Sequence, residues 1–167
     1  MIATFTCSEG IAAEMQLDLS RSHPFAAERV GFLTVCSNMS RAADCLIVAK
    51  KWISVADEDY VRARHVGACI GPAAFRKVLE YAYFSDVGIF HVHRHDHCGV
   101  PRFSRVDLMS MRDFIPSFFN ARPHQVHGAI VLSLNSSAGV FRAQRDGPDL
   151  PIANWFVPQM YEARCPK

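Results

Sequence analysis

The sequence lacks the features that would place the protein in a membrane or on nucleic acid. No apolar stretch approaches the roughly 20 residues that a membrane helix needs. The first residues have no basic region followed by an apolar run, so no secretory signal is visible. The formal net charge is only +2, and the basic residues are scattered. We therefore expect no membrane partner and no nucleic-acid partner.

The sequence also lacks closely spaced cysteines. Its six cysteines are widely spread and form no CxxC pair, so neither a disulfide framework nor a cysteine-based zinc site is indicated. In a chain of this kind they are expected to be reduced thiols, which predicts a cytoplasmic protein. The chain has 167 residues, half of them hydrophobic and a fifth charged. No repeat or linker divides it, so a single domain over residues 1–167 is predicted.

The chain mixes helix-like and strand-like segments, which predicts an α/β or α+β protein. Helical spacing of apolar residues predicts helices over Ile70–Ser85 and Ser104–Phe119, with Ser104 as a cap. A further helix start is expected at residues 22–29. Apolar or alternating segments predict strands at residues 1–20 (one or two strands), 30–35, 44–55, 86–93, 128–134 and 139–142, with a last strand or tail at 155–161.

Four of the eight histidines fall within seven residues, at positions 91, 93, 95 and 97. Residues two apart on a strand point to the same face, so His91, His93 and His95 could lie on one side. Neutral imidazoles are common zinc ligands. Two of them with a carboxylate leave a fourth position for water, as in catalytic zinc sites. Zinc lowers the pKa of such a water to roughly 7, so the cluster predicts hydrolytic metal chemistry.

Other interpretations of this cluster remain open from the residues alone. It could be a solvated polar loop that binds nothing. The metallo-β-lactamase pattern HxHxDH is missed by one residue, because an aspartate would be needed at position 95 and Asp96 comes one later. The zinc pair could be His93 with His95, or His91 with His93.

The segment from His93 to Asp107 resembles the JAMM signature of the JAB/MPN zinc metalloproteases. That signature is an HxH pair followed by SxxD, supplied here by His93, His95 and Ser104-Arg-Val-Asp107. A Gly/Pro-containing link, residues 98–103, joins the two parts, and its length favours His93 and His95 as the pair. Asp96 stands where the family usually has proline. Upstream, Glu28-Arg-Val-Gly-Phe-Leu33 resembles the family's ExxGxL motif.

The resemblance implies a role for each matched residue. His93, His95 and Asp107 would bind Zn²⁺. Glu28 would be the general base and then the general acid, and Ser104 would donate a hydrogen bond to the oxyanion. The implied fold is a single JAB/MPN metallopeptidase domain with the cytidine-deaminase-like α/β architecture, a mixed central β-sheet flanked by helices.

The resemblance also implies a substrate and partners. The expected reaction is hydrolysis of the amide at the C-terminus of a ubiquitin-like protein, as a deubiquitinase-like isopeptidase in a bacterial system. Conjugate removal and precursor processing both remain open. The associated activating and conjugating enzymes are possible further partners. Two alternatives stand beside it: a catalytically inactive MPN-type scaffold for protein assembly, and a DNA-associated relative of the RadC type, which the small net charge disfavours.

Overall fold

The computed structural model of the protein describes residues 2–22, 26–40, 44–62 and 67–157. Within these ranges three α-helices and a 3₁₀ turn at Asp57–Asp59 alternate with seven strands. The strands are β1 (Ala3–Thr6), β2 (Val30–Met39), β3 (Cys45–Ser54), β4 (Gly88–Arg94), β5 (His127–Leu132), β6 (Ser137–Arg142) and β7 (Leu150–Phe156). The helices are α1 (Glu9–Ser20), α2 (Pro72–Ser85) and α3 (Arg105–Ala121).

The seven strands close into a barrel in the order β1-β3-β2-β4-β5-β6-β7. Closure occurs because β1 pairs in parallel with both β3 and β7. β4 and β5 are also parallel, and the remaining pairs are antiparallel. The expected cytidine-deaminase-like α/β fold of the MPN/JAB type, with a central sheet flanked by helices, is therefore wrong. The sheet closes into a barrel instead.

Strand β4 is buried on both faces, and its alternation decides where the histidines lie. Phe90 and Val92 join the apolar cluster that also contains Leu33 of β2 and residues of α1. Ile89 points the other way, into the cluster formed with α2 and with Phe118 of α3. Because successive strand residues face opposite sides, His91 and His93 lie on the same face as Ile89, towards α2 and α3.

Most predicted elements are present, including α2, α3, β2 to β6 and the Ser104 cap. Residues 9–20 are an exception, because they form helix α1, with Ser8 as its N-cap, rather than a strand. The helix start predicted at residues 22–29 is also wrong where it is described, since residues 26–29 lead directly into β2; residues 23–25 lie outside the described ranges. None of the described helices is long and apolar enough to span a membrane.

The cysteines only partly match the expectation of reduced thiols. Cys7 and Cys45 are buried free thiols, and Cys36 and Cys69 are exposed ones. Cys98 is disulfide-bonded, so that expectation is wrong at this position. Cys165 lies outside the described residues.

Candidate metal centre

Three elements bring two histidines and two carboxylates together. Val30 of β2 is paired with His93 of β4 in an antiparallel register, so Glu28, two residues before Val30, comes opposite His95. Asp107 lies in the first turn of α3, which packs on β5 beside β4. Glu28, His93, His95 and Asp107 are named the His–carboxylate cluster below.

Short distances connect the members of this cluster. His93 Nε2 is 3.4 Å from Asp107 Oδ2, and His95 Nε2 is 4.0 Å from the same oxygen. His95 Nε2 is also 3.9 Å from Glu28 Oε1. Ligand atoms of Glu28, His93 and His95 all lie within 4.8 Å of one another. These side chains could therefore hold a metal ion.

The state of His93 supports this interpretation. Its side chain is only 3% exposed, and neither ring nitrogen makes a well-formed hydrogen bond, although Nε2 lies 3.4 Å from Asp107 Oδ2. A buried polar atom without a partner costs about 1–3 kcal/mol, and such atoms are uncommon in native proteins. A cation at this point would bind Nε2, which is directed at Asp107. Two imidazoles with carboxylates are a donor set that suits zinc, so the residues present fit that metal.

The position of Asp107 is fixed by a reciprocal cap with Ser104. The Ser104 backbone N–H donates to Asp107 Oδ2 at 2.6 Å, and the Asp107 N–H donates to Ser104 Oγ at 3.2 Å. Burial raises the pKa of the Asp107 carboxyl, but interactions with His93 and Ser104 outweigh it and hold that pKa below its usual range. Asp107 is therefore ionised at neutral pH. Ser104 Oγ accepts in the cap, and its hydroxyl also interacts with the Asp107 carboxyl.

The other two clustered histidines lie outside the group. The His91 ring centroid is 5.8 Å from that of His93, but His91 packs against Phe114 at 4.9 Å and Phe32 at 5.7 Å. Burial, with a smaller effect of His93, lowers the pKa of His91 to about 3, so its imidazole is neutral. His97 Nδ1 lies 3.0 Å from the Cys98 carbonyl oxygen. The metal-holding group found among the described residues contains neither of them.

The His–carboxylate cluster opens into a cavity of about 620 Å³. Ser104 and Phe103 line the same cavity as the cluster. The cavity continues away from the cluster between α2, α3 and the barrel. Its remaining walls are mostly apolar, and they include Val30, Ile70, Phe75, His91, Met111, Phe114 and Ala129. The volume and the apolar lining are those of a small-molecule or side-chain binding site.

Gly67 is a site residue that the sequence pattern did not indicate. Its carbonyl oxygen accepts a hydrogen bond from the Glu28 N–H at 2.9 Å. A Cβ at position 67 would lie 2.5 Å from Glu28 Oε2. Gly67 therefore leaves the space that the Glu28 carboxylate occupies. A single glycine in a loop carries no signal of this role in the sequence.

The structure thus brings together all five residues that the motifs singled out: Glu28, His93, His95, Ser104 and Asp107. No protein-family model and no curated protein sequence matches the chain. Among solved structures it is similar to the STIL N-terminal domain of Trichoplax adhaerens, with 9% identity and a TM-score of 0.36. That match covers 83% of this chain and 41% of the other. A likeness at this TM-score assigns neither a fold nor a function.

Proposed function

We propose that the protein is a zinc-dependent metallopeptidase that hydrolyses an amide bond in the cavity beside the His–carboxylate cluster. The observation that carries the proposal is the buried His93, whose ring nitrogens make no well-formed hydrogen bond and whose Nε2 lies 3.4 Å from Asp107 Oδ2, beside His95 and Glu28. Structural zinc sites are usually closed by four protein ligands, whereas catalytic sites keep an open position. A cluster that borders a cavity fits the second kind.

His93, His95 and Asp107 would hold the zinc ion. When bound, zinc supplies Lewis-acid polarisation of a water and of the amide carbonyl. The N-terminal cap of α3 keeps Asp107 in place, because the Ser104 N–H donates to its carboxylate and its own N–H donates to Ser104 Oγ. The charge of Asp107 offsets part of the charge of a divalent cation. His93 is held by its strand, so the ligands are largely preorganised.

Glu28 and Ser104 would carry out the proton transfer and the charge stabilisation. The Glu28 carboxylate lies beside His95 and is partly exposed to the cavity, so it can accept a proton from the attacking water. It would then return that proton to the departing amine, as general base followed by general acid. The Ser104 hydroxyl lines the cavity and would turn from the Asp107 carboxyl to donate to the oxygen that becomes negatively charged.

The substrate proposed on the resemblance is the amide at the C-terminus of a ubiquitin-like protein, either in a conjugate or in an extended precursor. The chemistry of the cluster requires only an amide that can enter the cavity. The bacterial setting and the associated activating and conjugating enzymes belong to the same proposal.

The test is metal analysis of the purified chain together with cleavage of an amide substrate. Wild type should contain close to one zinc per chain and cleave a ubiquitin-like fusion, and Glu28→Gln should keep the zinc and lose the cleavage. A wild-type chain that binds no zinc would overturn the proposal. Full zinc content without cleavage of any fusion or conjugate would favour the inactive scaffold.

A further inference from the structure

A row of aromatic rings leads from the His–carboxylate cluster into the rest of the cavity. The ring centroids of His95 and His93 are 5.0 Å apart, and those of His93 and His91 are 5.8 Å apart. The row continues from His91 to Phe114 at 4.9 Å and from Phe114 to Phe75 at 6.2 Å. The part of the cavity lined by Phe114 and Phe75 is therefore separated from His93, a proposed zinc ligand, only by the ring of His91.

That part of the cavity is named the apolar chamber, and its walls are Val30, Ile70, Phe75, His91 and Phe114. Four of these five side chains carry no polar atom. The nearby hydroxyl of Ser117 is already used, because it donates to the Phe114 carbonyl oxygen at 2.6 Å. The chamber thus favours an apolar or aromatic group over a charged one.

His91 supplies the one unused polar group in this wall. No described residue makes a hydrogen bond to its ring nitrogens, although the ring contacts Phe32, His93 and Phe114. The imidazole has two ring nitrogens that can form hydrogen bonds with a polar group. A polar group of this kind in an apolar pocket orients a ligand and selects for a matching partner. An aromatic group with a hydroxyl at its tip satisfies both the walls and His91.

We propose that the apolar chamber is a specificity pocket for a tyrosine side chain next to the scissile amide, with the phenol bonded to His91. The inference rests on the proposed function, because only a hydrolase would cleave the neighbouring amide. Binding to the chamber can nevertheless be tested without catalysis. The walls disfavour an acidic side chain, because they are mostly apolar and Asp113 also lines the cavity. A substrate whose neighbouring residue is glycine would leave the chamber unfilled.

The first experiment measures binding by the full chain, with and without added zinc, by isothermal titration calorimetry. The probes are N-acetyl-tyrosinamide, N-acetyl-phenylalaninamide and N-acetyl-glycinamide. Burial of the ring should make the tyrosine amide bind at least tenfold more tightly than the glycine amide. The phenol hydrogen bond should add about a further three- to tenfold over the phenylalanine amide. Equal affinities for the tyrosine and glycine amides would overturn the proposal.

Substitutions locate the binding in the chamber. Ser110 lies on the face of α3 between Asp107 and Phe114, at spacings of three and four residues, and it is exposed and lines the cavity. Ser110→Trp should obstruct the chamber and weaken tyrosine amide binding by tenfold or more. Arg112→Trp is the matched control, because Arg112 is exposed on the same helix and does not line the cavity. Unchanged binding by Ser110→Trp would remove the chamber as the site.

His91→Phe tests the hydrogen bond while it keeps an aromatic ring. This variant should bind the tyrosine and phenylalanine amides equally, and both more tightly than the glycine amide. A retained preference for tyrosine would overturn the role of His91. Selective binding without any cleavage by the zinc-loaded chain would keep the chamber and remove the hydrolase. Cleavage that is indifferent to tyrosine or glycine beside the amide would keep the hydrolase and remove the chamber.

Discussion

Gly67 and Glu28 contact each other through both backbone and side chain. The Glu28 N–H donates to the Gly67 carbonyl oxygen at 2.9 Å, and the Glu28 carboxylate occupies the space next to the Gly67 Cα. This contact holds the segment that leads into β2 against the loop that precedes α2. It explains how a carboxylate outside regular secondary structure is held beside His95.

Gly67→Ala should displace the Glu28 carboxylate while the fold survives. The new Cβ would lie 2.5 Å from Glu28 Oε2, and the flexible carboxylate can move away more easily than the backbone. A misplacement of about 1 Å at a catalytic group can cost about 10²-fold in rate. We expect such a loss of cleavage with zinc content unchanged. Gly10→Ala in α1 is the control, since nothing lies within 4 Å of its added Cβ. Equal activity of the two variants would contradict the positioning role.

The two carboxylates of the cluster should differ in their effect on metal binding. Asp107→Asn should lose zinc, because the uncharged amide is a poor ligand for a divalent cation. Glu28→Gln should keep zinc and lose about 10²–10⁴ in rate, the usual worth of a positioned base. Metal analysis with cleavage assays on both variants checks this. Loss of zinc from Glu28→Gln would make Glu28 a ligand, which its place in the metal-holding group also permits.

Ser104 should have a structural role and a catalytic role that two substitutions separate. Ser104→Ala removes the N-cap of α3 and should lower the unfolding free energy by about 1 kcal/mol, whereas glycine at an N-cap costs only a few tenths. Both variants remove the hydroxyl that would stabilise the oxyanion, a loss of about 10²–10³ in rate. Urea unfolding should therefore show a lower unfolding free energy for Ser104→Ala than for Ser104→Gly. The cleavage rate should be equally low in both variants. Full activity of Ser104→Gly would exclude the hydroxyl from the reaction.

The proximity of the candidate site residues could be predicted from the sequence because much of it depends on local rules. Alternation along β4 and the residue that follows it places His93 and His95 on one face, and the SxxD spacing matches a capping box at the start of α3. Both are decided within a few residues of the chain. The position of Glu28 beside His95 does not follow from local rules, because it depends on the pairing of β2 with β4. Only the resemblance of its motif indicates that Glu28 belongs to the site.

The fold was harder to predict because barrel closure depends on distant pairing. Phe5 of β1 pairs with Ile47 on one side and Trp155 on the other, and no local pattern in residues 3–6 reports either partner. Helix α1 was mistaken for a strand because Met15, Leu17 and Leu19 alternate. Leu17 is in fact 75% exposed, and the buried residues are Ala12, Met15 and Leu19, at the spacing of three and four that a helix gives.

Stability should fall at acid pH because of the buried His127. Its Nδ1 accepts the Ile89 N–H at 3.1 Å, so Nε2 carries the proton and donates to the Arg122 carbonyl oxygen at 2.8 Å. Burial lowers the pKa of His127 to about 4, against about 6.5 for an unfolded histidine. Between these values the unfolded chain binds more protons than the folded chain. The contribution of His127 to stability is therefore complete above pH 6.5 and is lost as the pH falls to 4.

The size of this effect follows from the shift in pKa. Each unit corresponds to about 1.4 kcal/mol, so the unfolding free energy should fall by up to about 3 kcal/mol from His127, and His91 acts in the same direction. Urea unfolding of the metal-free chain from pH 7.5 to 4.5 measures it, with a chelator present so that zinc binding does not contribute. His127→Gln should reduce the slope against pH by about one proton. A slope that His127→Gln leaves unaltered would show that another group controls the acid sensitivity.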